Sequence, residues 1–135
     1  MIVDTSALAA IAFDEPGADR LLEAILSERS FLPAPAHTEF RRVAFLRGPG
    51  FDGIARDLLE TLQRAGLDVV PYDAIHAGIA AEAQGRYGKG NGGSLNLLDL
   101  MVYAVARERG MPLLFAGRDF TSTDVAVYPA SRIEG

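Results

Sequence analysis

Asp4, Glu39, Asp99 and Asp119 each stand where an apolar run of this 135-residue chain begins or ends. Carboxylates serve general acid–base chemistry and the ligation of hard cations. The remaining donors narrow the choice. The chain has no cysteine, which removes disulfides, thiolate zinc sites and cysteine nucleophiles together. Its histidines, His37 and His76, lie too far apart for a helical metal pair. Any metal centre here is made of oxygen, and an all-oxygen set suits Mg²⁺ or a similar hard ion.

The elements around these acids predict that they converge. Met1–Val3 is a short apolar run that stops at Asp4-Thr5-Ser6, and residues 7–13 read as helical: strand, turn, helix. A second helix covers residues 18–28, with Leu21, Leu22, Ile25 and Leu26 at helical spacing. Phe31–Pro33 reads as a brief strand, and the helix carrying Glu39, Phe40, Val43 and Phe45 is expected to start after Pro35. Gly48-Pro49-Gly50 breaks the chain before a helix over 54–65, and Leu67–Pro71 is a third strand. Asp73 caps a helix reaching about Arg86. Residues 87–94 form a glycine-rich, mobile loop, and 96–109 is the most apolar helix, ended by Gly110. Pro112–Phe115 and Val125–Tyr128 supply a fourth and a fifth strand. Strands alternating with helices imply a parallel sheet, and ligands bind such sheets beyond the carboxyl ends of the strands.

Each acid also has a structural reading. Asp4 can cap the helix that follows it. Glu39 can favour the positive end of its helix dipole. Asn96 and Asp99 have capping-box spacing, and Asp119 can belong to a turn. Asp99, however, lies on a helix that is apolar on almost every face (Leu97, Leu98, Leu100, Met101, Val102). A buried carboxylate there needs hydrogen bonds or a cation. Four acids at one edge of one sheet are harder to obtain by chance than any of them singly.

Composition sets the outer limits. A chain that is 49% hydrophobic and 23% charged, with no internal repeat, fits one compact domain over residues 1–135. The opening residues lack the pattern of a signal peptide and no run is long enough to span a bilayer, so a cytoplasmic protein without a membrane partner is expected. The net charge of −5 argues at first against nucleic acid. Two divalent cations among the acids would leave about −1. Twelve arginines against the single Lys89 suit bidentate phosphate contact, with Arg41, Arg42, Arg47, Arg86 and Lys89 as candidates. The glycine-rich loop follows a helix and lacks P-loop order.

In this order and spacing the motifs resemble the PIN-domain ribonucleases, and within them the VapC toxins of bacterial toxin–antitoxin pairs. The resemblance spans nearly the whole chain. It rests on Met1-Ile-Val-Asp-Thr-Ser-Ala-Leu8, the Glu39 helix, Tyr87-Gly-Lys-Gly90 leading to Leu95-Asn-Leu-Leu-Asp99, Pro112-Leu-Leu-Phe115, Gly117-Arg-Asp-Phe120 and Thr123-Asp124. It departs from the family after Lys89, where glycines stand in place of a further basic residue. It implies a PIN-like three-layer α/β/α fold with a five-stranded parallel sheet. Asp4, Glu39, Asp99 and Asp119 become the catalytic acids, with Asp4, Asp99 and Asp119 as metal ligands and Ser6 and Asp124 in support. Asp119 and Asp124 both remain candidates for the fourth acid. Mg²⁺, or Mn²⁺ in its place, is the implied cofactor, as one ion or two. The implied activity is cleavage of structured RNA, tRNA or rRNA, by an activated water. The implied partners are a second copy of the chain and a VapB-like antitoxin.

Two other readings fit parts of the sequence. One is a non-catalytic PIN-like dimer kept for its partner contacts. The other is a phosphatase-type phosphoryl-transfer domain with the acid after the first strand as nucleophile, which wants Asp-x-Asp where this chain has Asp4-Thr5-Ser6.

Overall fold

The computed structural model describes residues 1–133. Strands β1 (Ile2–Val3), β2 (Phe31–Pro33), β3 (Asp68–Val70) and β4 (Leu113–Leu114) form one parallel sheet in the order β3-β2-β1-β4. Ile2 lies between Phe31 and Leu113, and Val3 pairs with Leu114. Ile2, Val3, Leu32, Leu113 and Leu114 are fully buried. Continuous apolar strands of this kind belong to parallel sheets covered by helices on both faces.

The helices are α1 (Thr5–Ala12), α2 (Ala18–Ser27), α3 (Ala34–Arg47), α4 (Pro49–Arg64), α5 (Ala74–Tyr87) and α6 (Leu97–Arg109). Tyr103, Phe40, Phe115 and Phe120 are the largest fully buried side chains. Each such side chain contributes about 1.5–3 kcal/mol by leaving water.

Two helices begin earlier than the sequence predicts, for one reason. Pro35 and Pro49 lie in the first turns of α3 and α4. A first-turn residue has no intrahelical acceptor for its N–H, so proline's missing donor costs nothing there. Only Gly48, at φ +148°, separates the two helices.

The fifth strand is a correction. Residues 125–128 make a single parallel bridge, Leu113 with Val127, in which Leu113 N–H donates to Ala126 (2.8 Å) and Tyr128 N–H to Leu113 (2.9 Å). Pro129 cannot extend the ladder. The Ser131 hydroxyl takes over, accepting from Phe115 N–H at 3.1 Å and donating to the Leu113 carbonyl at 3.2 Å. A second bridge then joins Ala116 to Arg132.

The chain runs from β1 outward to β2 and β3, then returns through α5 and α6 to place β4 on the other side of β1. The strand order therefore reverses between β1 and β4, and the carboxyl ends of these two strands flank the crevice where α/β sheets bind ligands.

The glycine-rich loop is closed at its base. Leu95 N–H donates to Tyr87, Lys89 N–H to Leu95, and Asn91 and Gly93 N–H to Gly88. A β-carbon on Gly93 would overlap the Tyr87 carbonyl, whereas Gly85, exposed on α5, has open space around it. Gly93→Ala is expected to lower unfolding free energy in urea by about 1 kcal/mol or more, and Gly85→Ala to raise it by about 0.4–1 kcal/mol. Equal effects of the two changes would contradict this packing of the loop.

Candidate active site

Asp4 directly follows β1 and is the N-cap of α1. Its Oδ2 accepts from the Ser6 amide at 3.0 Å and the Ser6 hydroxyl at 2.6 Å. The same hydroxyl oxygen accepts from Ala116 N–H, just past β4, at 3.0 Å. Ser6 thus spans the crevice and fixes the Asp4 carboxylate against both of its walls. Asp4 is 4% exposed. Burial pushes its pKa up to about 6, and the Glu39 charge adds to the rise, while the Ser6 hydrogen bonds oppose it.

Asp99 occupies the third position of α6 inside a reciprocal capping box. Its amide donates to Asn96 Oδ1 at 2.9 Å, and its Oδ2 accepts from the Asn96 amide at 3.0 Å. The box closes α6 at its amino end and locks the carboxylate in place. Asp99 is 8% exposed, and burial pushes its pKa up to about 7. Repulsion from Asp4, Asp119 and Glu39 reinforces the shift, and the Asn96 amide opposes it. Capping and a role in the acid cluster are thus compatible for Asp4 and Asp99, because the caps fix both carboxylates next to other acids.

Glu39 is half-buried on α3. Because α3 starts at Ala34, Glu39 is its sixth residue, beyond the first turn where the dipole acts, and the dipole explanation for this acid lapses. Asp119 is exposed on the loop after β4, above the buried Phe120, whose ring packs on Phe115 at 5.4 Å. Asp124 is held elsewhere: it accepts from the buried Tyr103 hydroxyl at 2.5 Å and pairs with Arg107 at 3.7 Å. Burial and Asp124 push the Tyr103 pKa up to about 12. The groups that bear on Asp99 are Asp4, Asp119 and Glu39.

These four acids share one electrostatic field, and among the described residues none of them forms a salt bridge. They do not meet at one point: among the described residues no three acidic or histidine side chains stand close enough to hold an ion together. The donor set still suits Mg²⁺, which keeps several waters and needs only one or two direct carboxylates. Asp4 and Asp99, held by their caps, fit those positions, and the charges of Asp119 and Glu39 act on Asp99.

The basic candidates separate. Arg41 is paired with Asp52 of α4 at 3.3 Å, and Arg47 stacks on Phe13 at 4.0 Å and Phe51 at 4.9 Å. Both tie α3 to its neighbours. Arg86 lies over the Tyr87 ring and lines a surface with Ile75, Glu82 and Arg107. Lys89 is exposed in the glycine-rich loop. Arg42 is exposed and lines, with Glu39, Pro35, Tyr72, Leu98 and Met101, a groove of about 580 Å³. Its walls are mostly apolar, which suits a base or a partner side chain better than a phosphate.

Sequence reasoning missed the partners that fix the acids across long separations, namely Ala116 for Ser6, Tyr103 for Asp124 and Ser94 for the Asp119 backbone. No local pattern announces them. His76 was set aside on sequence and is structural: it is buried, its Nδ1 accepts from Asp73 N–H at 2.9 Å and its Nε2 lies 2.9 Å from Glu108 Oε1. Among the described residues no helix is long and apolar enough to cross a membrane.

Comparison with known proteins agrees with this fold. Residues 1–126 match the PIN domain family. Ribonuclease VapC42 of Mycobacterium tuberculosis is 42% identical over 128 residues, covering 93% of this chain and 96% of the relative. Among solved structures, M. tuberculosis VapC20, described as a sarcin-ricin loop cleaving toxin, superposes with a TM-score of 0.73 at 19% identity, covering 92% of this chain and 95% of that one. A toxin–antitoxin complex from Klebsiella pneumoniae gives a TM-score of 0.70 at 18% identity, covering 95% and 96%. The chain belongs to the PIN-domain family, among its VapC ribonucleases.

Proposed function

We propose that the protein is a divalent-metal-dependent endoribonuclease toxin that cleaves structured RNA, tRNA or rRNA, and is neutralised by a VapB-like antitoxin. One observation carries the reading: Glu39 repels Asp4, and Asp4, Asp119 and Glu39 repel Asp99, while among the described residues no basic side chain forms a salt bridge with any of the four. Such a cluster calls for cations, and in a VapC relative the cations serve phosphodiester hydrolysis.

In this reading Asp4 and Asp99 are direct ligands, each held by its cap, and Asp119 joins them through a water of the ion. Glu39, on α3, orients the attacking water and accepts its proton. When bound, Mg²⁺ or Mn²⁺ lowers the pKa of water and offsets charge developing on the phosphate. Ser6 keeps Asp4 aimed at the crevice. Asp124 supports the site by anchoring, through Tyr103, the far end of the loop that carries Asp119. Arg42, Lys89 and Arg86 remain for RNA contact, and Arg41 leaves that set. A second copy and the antitoxin are the protein partners. The exposed Val43, Phe45 and Leu46 on α3 favour an apolar partner surface.

Purified protein incubated with total tRNA and rRNA should produce discrete cuts with Mg²⁺ or Mn²⁺ and none in EDTA. Asp4→Ala or Asp99→Ala should lower the rate by at least about a hundredfold while the circular dichroism spectrum is kept. Wild-type rates in either variant would sink the assignment. No cutting by folded, antitoxin-free protein would favour the non-catalytic binding module.

The raised carboxyl values give a pH dependence of definite sign. With a folded pKa of about 7 for Asp99 and about 6 for Asp4, against an ordinary value of 3.8, the folded state holds protons that the unfolded state has released. Metal-free protein is therefore most stable at low pH within this range and loses stability as pH rises from about 4 to about 7. Added Mg²⁺ should raise Tm by several degrees more near pH 8 than near pH 5, because only ionised carboxylates bind it. Differential scanning calorimetry with and without Mg²⁺ checks this, and a Mg²⁺ shift that is larger at the acidic pH would contradict it.

A further inference from the structure

The glycine-rich segment between α5 and α6 lacks the order of a phosphate loop, yet its fold is closely specified. Gly93 passes so near the Tyr87 carbonyl that a side chain there would overlap it. Directly after that contact, the Ser94 hydroxyl donates to the backbone carbonyl of Asp119 at 2.6 Å. Leu95 N–H then returns to Tyr87 at 3.0 Å, and Asn96 begins the box that holds Asp99. Within six residues the chain therefore grips one acid through its backbone carbonyl and another through its carboxylate.

We propose that Ser94 is a positioning residue that sets the Asp119 carboxylate at its working distance from Asp99 by tying the glycine-rich segment to the loop after β4. The proposal rests on reading the acids as a cation site, and it explains features which that reading leaves unused. Asp119 is exposed and, unlike Asp4 and Asp99, has no cap to hold its carboxylate. Its loop is fixed at the near end by the buried Phe120 and at the far end by the Tyr103–Asp124 hydrogen bond. Neither contact acts on the Asp119 backbone itself. Ser94 does, and the base of its segment is fixed to the same core, since the Tyr87 ring packs on Tyr103 at 5.5 Å. Both anchors follow Asp119 in the chain, so removing the hydroxyl leaves them in place and frees the Asp119 carbonyl that precedes them.

The test uses the full chain and two variants, Ser94→Ala and Ser94→Thr, with Mn²⁺ as the probe ion. Amide hydrogen exchange on metal-free protein should rise over 117–121 in Ser94→Ala and stay unchanged over 97–109. Mn²⁺ binding followed by electron paramagnetic resonance should weaken about three- to tenfold, the factor that one hydrogen bond of ordinary net strength gives. The Mg²⁺ concentration for half-maximal RNA cleavage should rise by the same factor, with the maximal rate recovered at high Mg²⁺ and Tm nearly unchanged. Threonine, which keeps the hydroxyl, should restore all of these. If wild type binds Mn²⁺ and Ser94→Ala matches it in affinity and exchange, the proposal fails alone. A loss that threonine does not restore, accompanied by a lower Tm, makes Ser94 merely structural and also overturns it. If wild type takes up no Mn²⁺, the ribonuclease reading falls and this proposal with it.

Discussion

Keeping Asp4 and Asp99 in place where burial opposes their charge is the constraint around which the carboxyl edge of the sheet is arranged. Each is under a tenth exposed, and each feels the other acids more than it feels any base. An isolated buried carboxylate would take up a proton or turn outward. Here the caps prevent the second outcome. Asp4 is tied to Ser6 and Asp99 to Asn96, so a change of rotamer would break hydrogen bonds that also begin α1 and α6. What remains is a choice between a proton and a cation, decided by pH and by the supply of metal.

The sheet topology brings the two walls together. β1 and β4 are separated by more than a hundred residues in sequence yet lie side by side, because the return through α5 and α6 crosses to the far side of β1. The Ser6 hydroxyl joins them, donating to Asp4 and accepting from Ala116. A methyl group at this position would leave the Ala116 amide without its partner, an unpaired donor costing about 1–3 kcal/mol when buried. The incomplete fifth strand serves the same edge. Where Pro129 ends the ladder, the Ser131 hydroxyl satisfies Phe115 N–H and Leu113 C=O, and the strand that leads to the Asp119 loop keeps its backbone partners.

How much could be read from the sequence follows from the range of each interaction. The caps at Asp4, Asp73 and Asn96 were legible because a cap and its target lie within three residues. The strands β1, β2 and β4 were legible as buried apolar runs. The starts of α3 and α4 were misread because proline was taken as a breaker when its place in the first turn made it an initiator. That error concealed a useful fact, since an earlier start for α3 takes Glu39 away from the helix dipole. The different surroundings of Asp119 and Asp124 needed the fold: Tyr103 hydrogen-bonds Asp124 across 21 residues, and no periodicity signals such a pair. The same holds for the contacts of Arg41 with Asp52 and of Arg47 with the Phe13–Phe51 pair.

The hydrogen bonds that cap α1 and α6 and those that aim the acids are the same bonds, so folding and the placing of the acids are coupled through them. Every proton that Asp4 or Asp99 releases on the way to neutral pH adds repulsion to a rigid cluster, and an ion entering it removes that repulsion at once. A cluster formed by flexible side chains would relax by spreading apart, and its affinity would fall by the cost of gathering it again. Capped carboxylates cannot spread, so the repulsion is already present in the ion-free protein and its relief appears as binding. Part of the net charge of −5 that seemed to turn nucleic acid away is thus concentrated in this one cluster. Two divalent ions would neutralise the four carboxylates, and the exposed arginines would then supply the positive field that a phosphate meets.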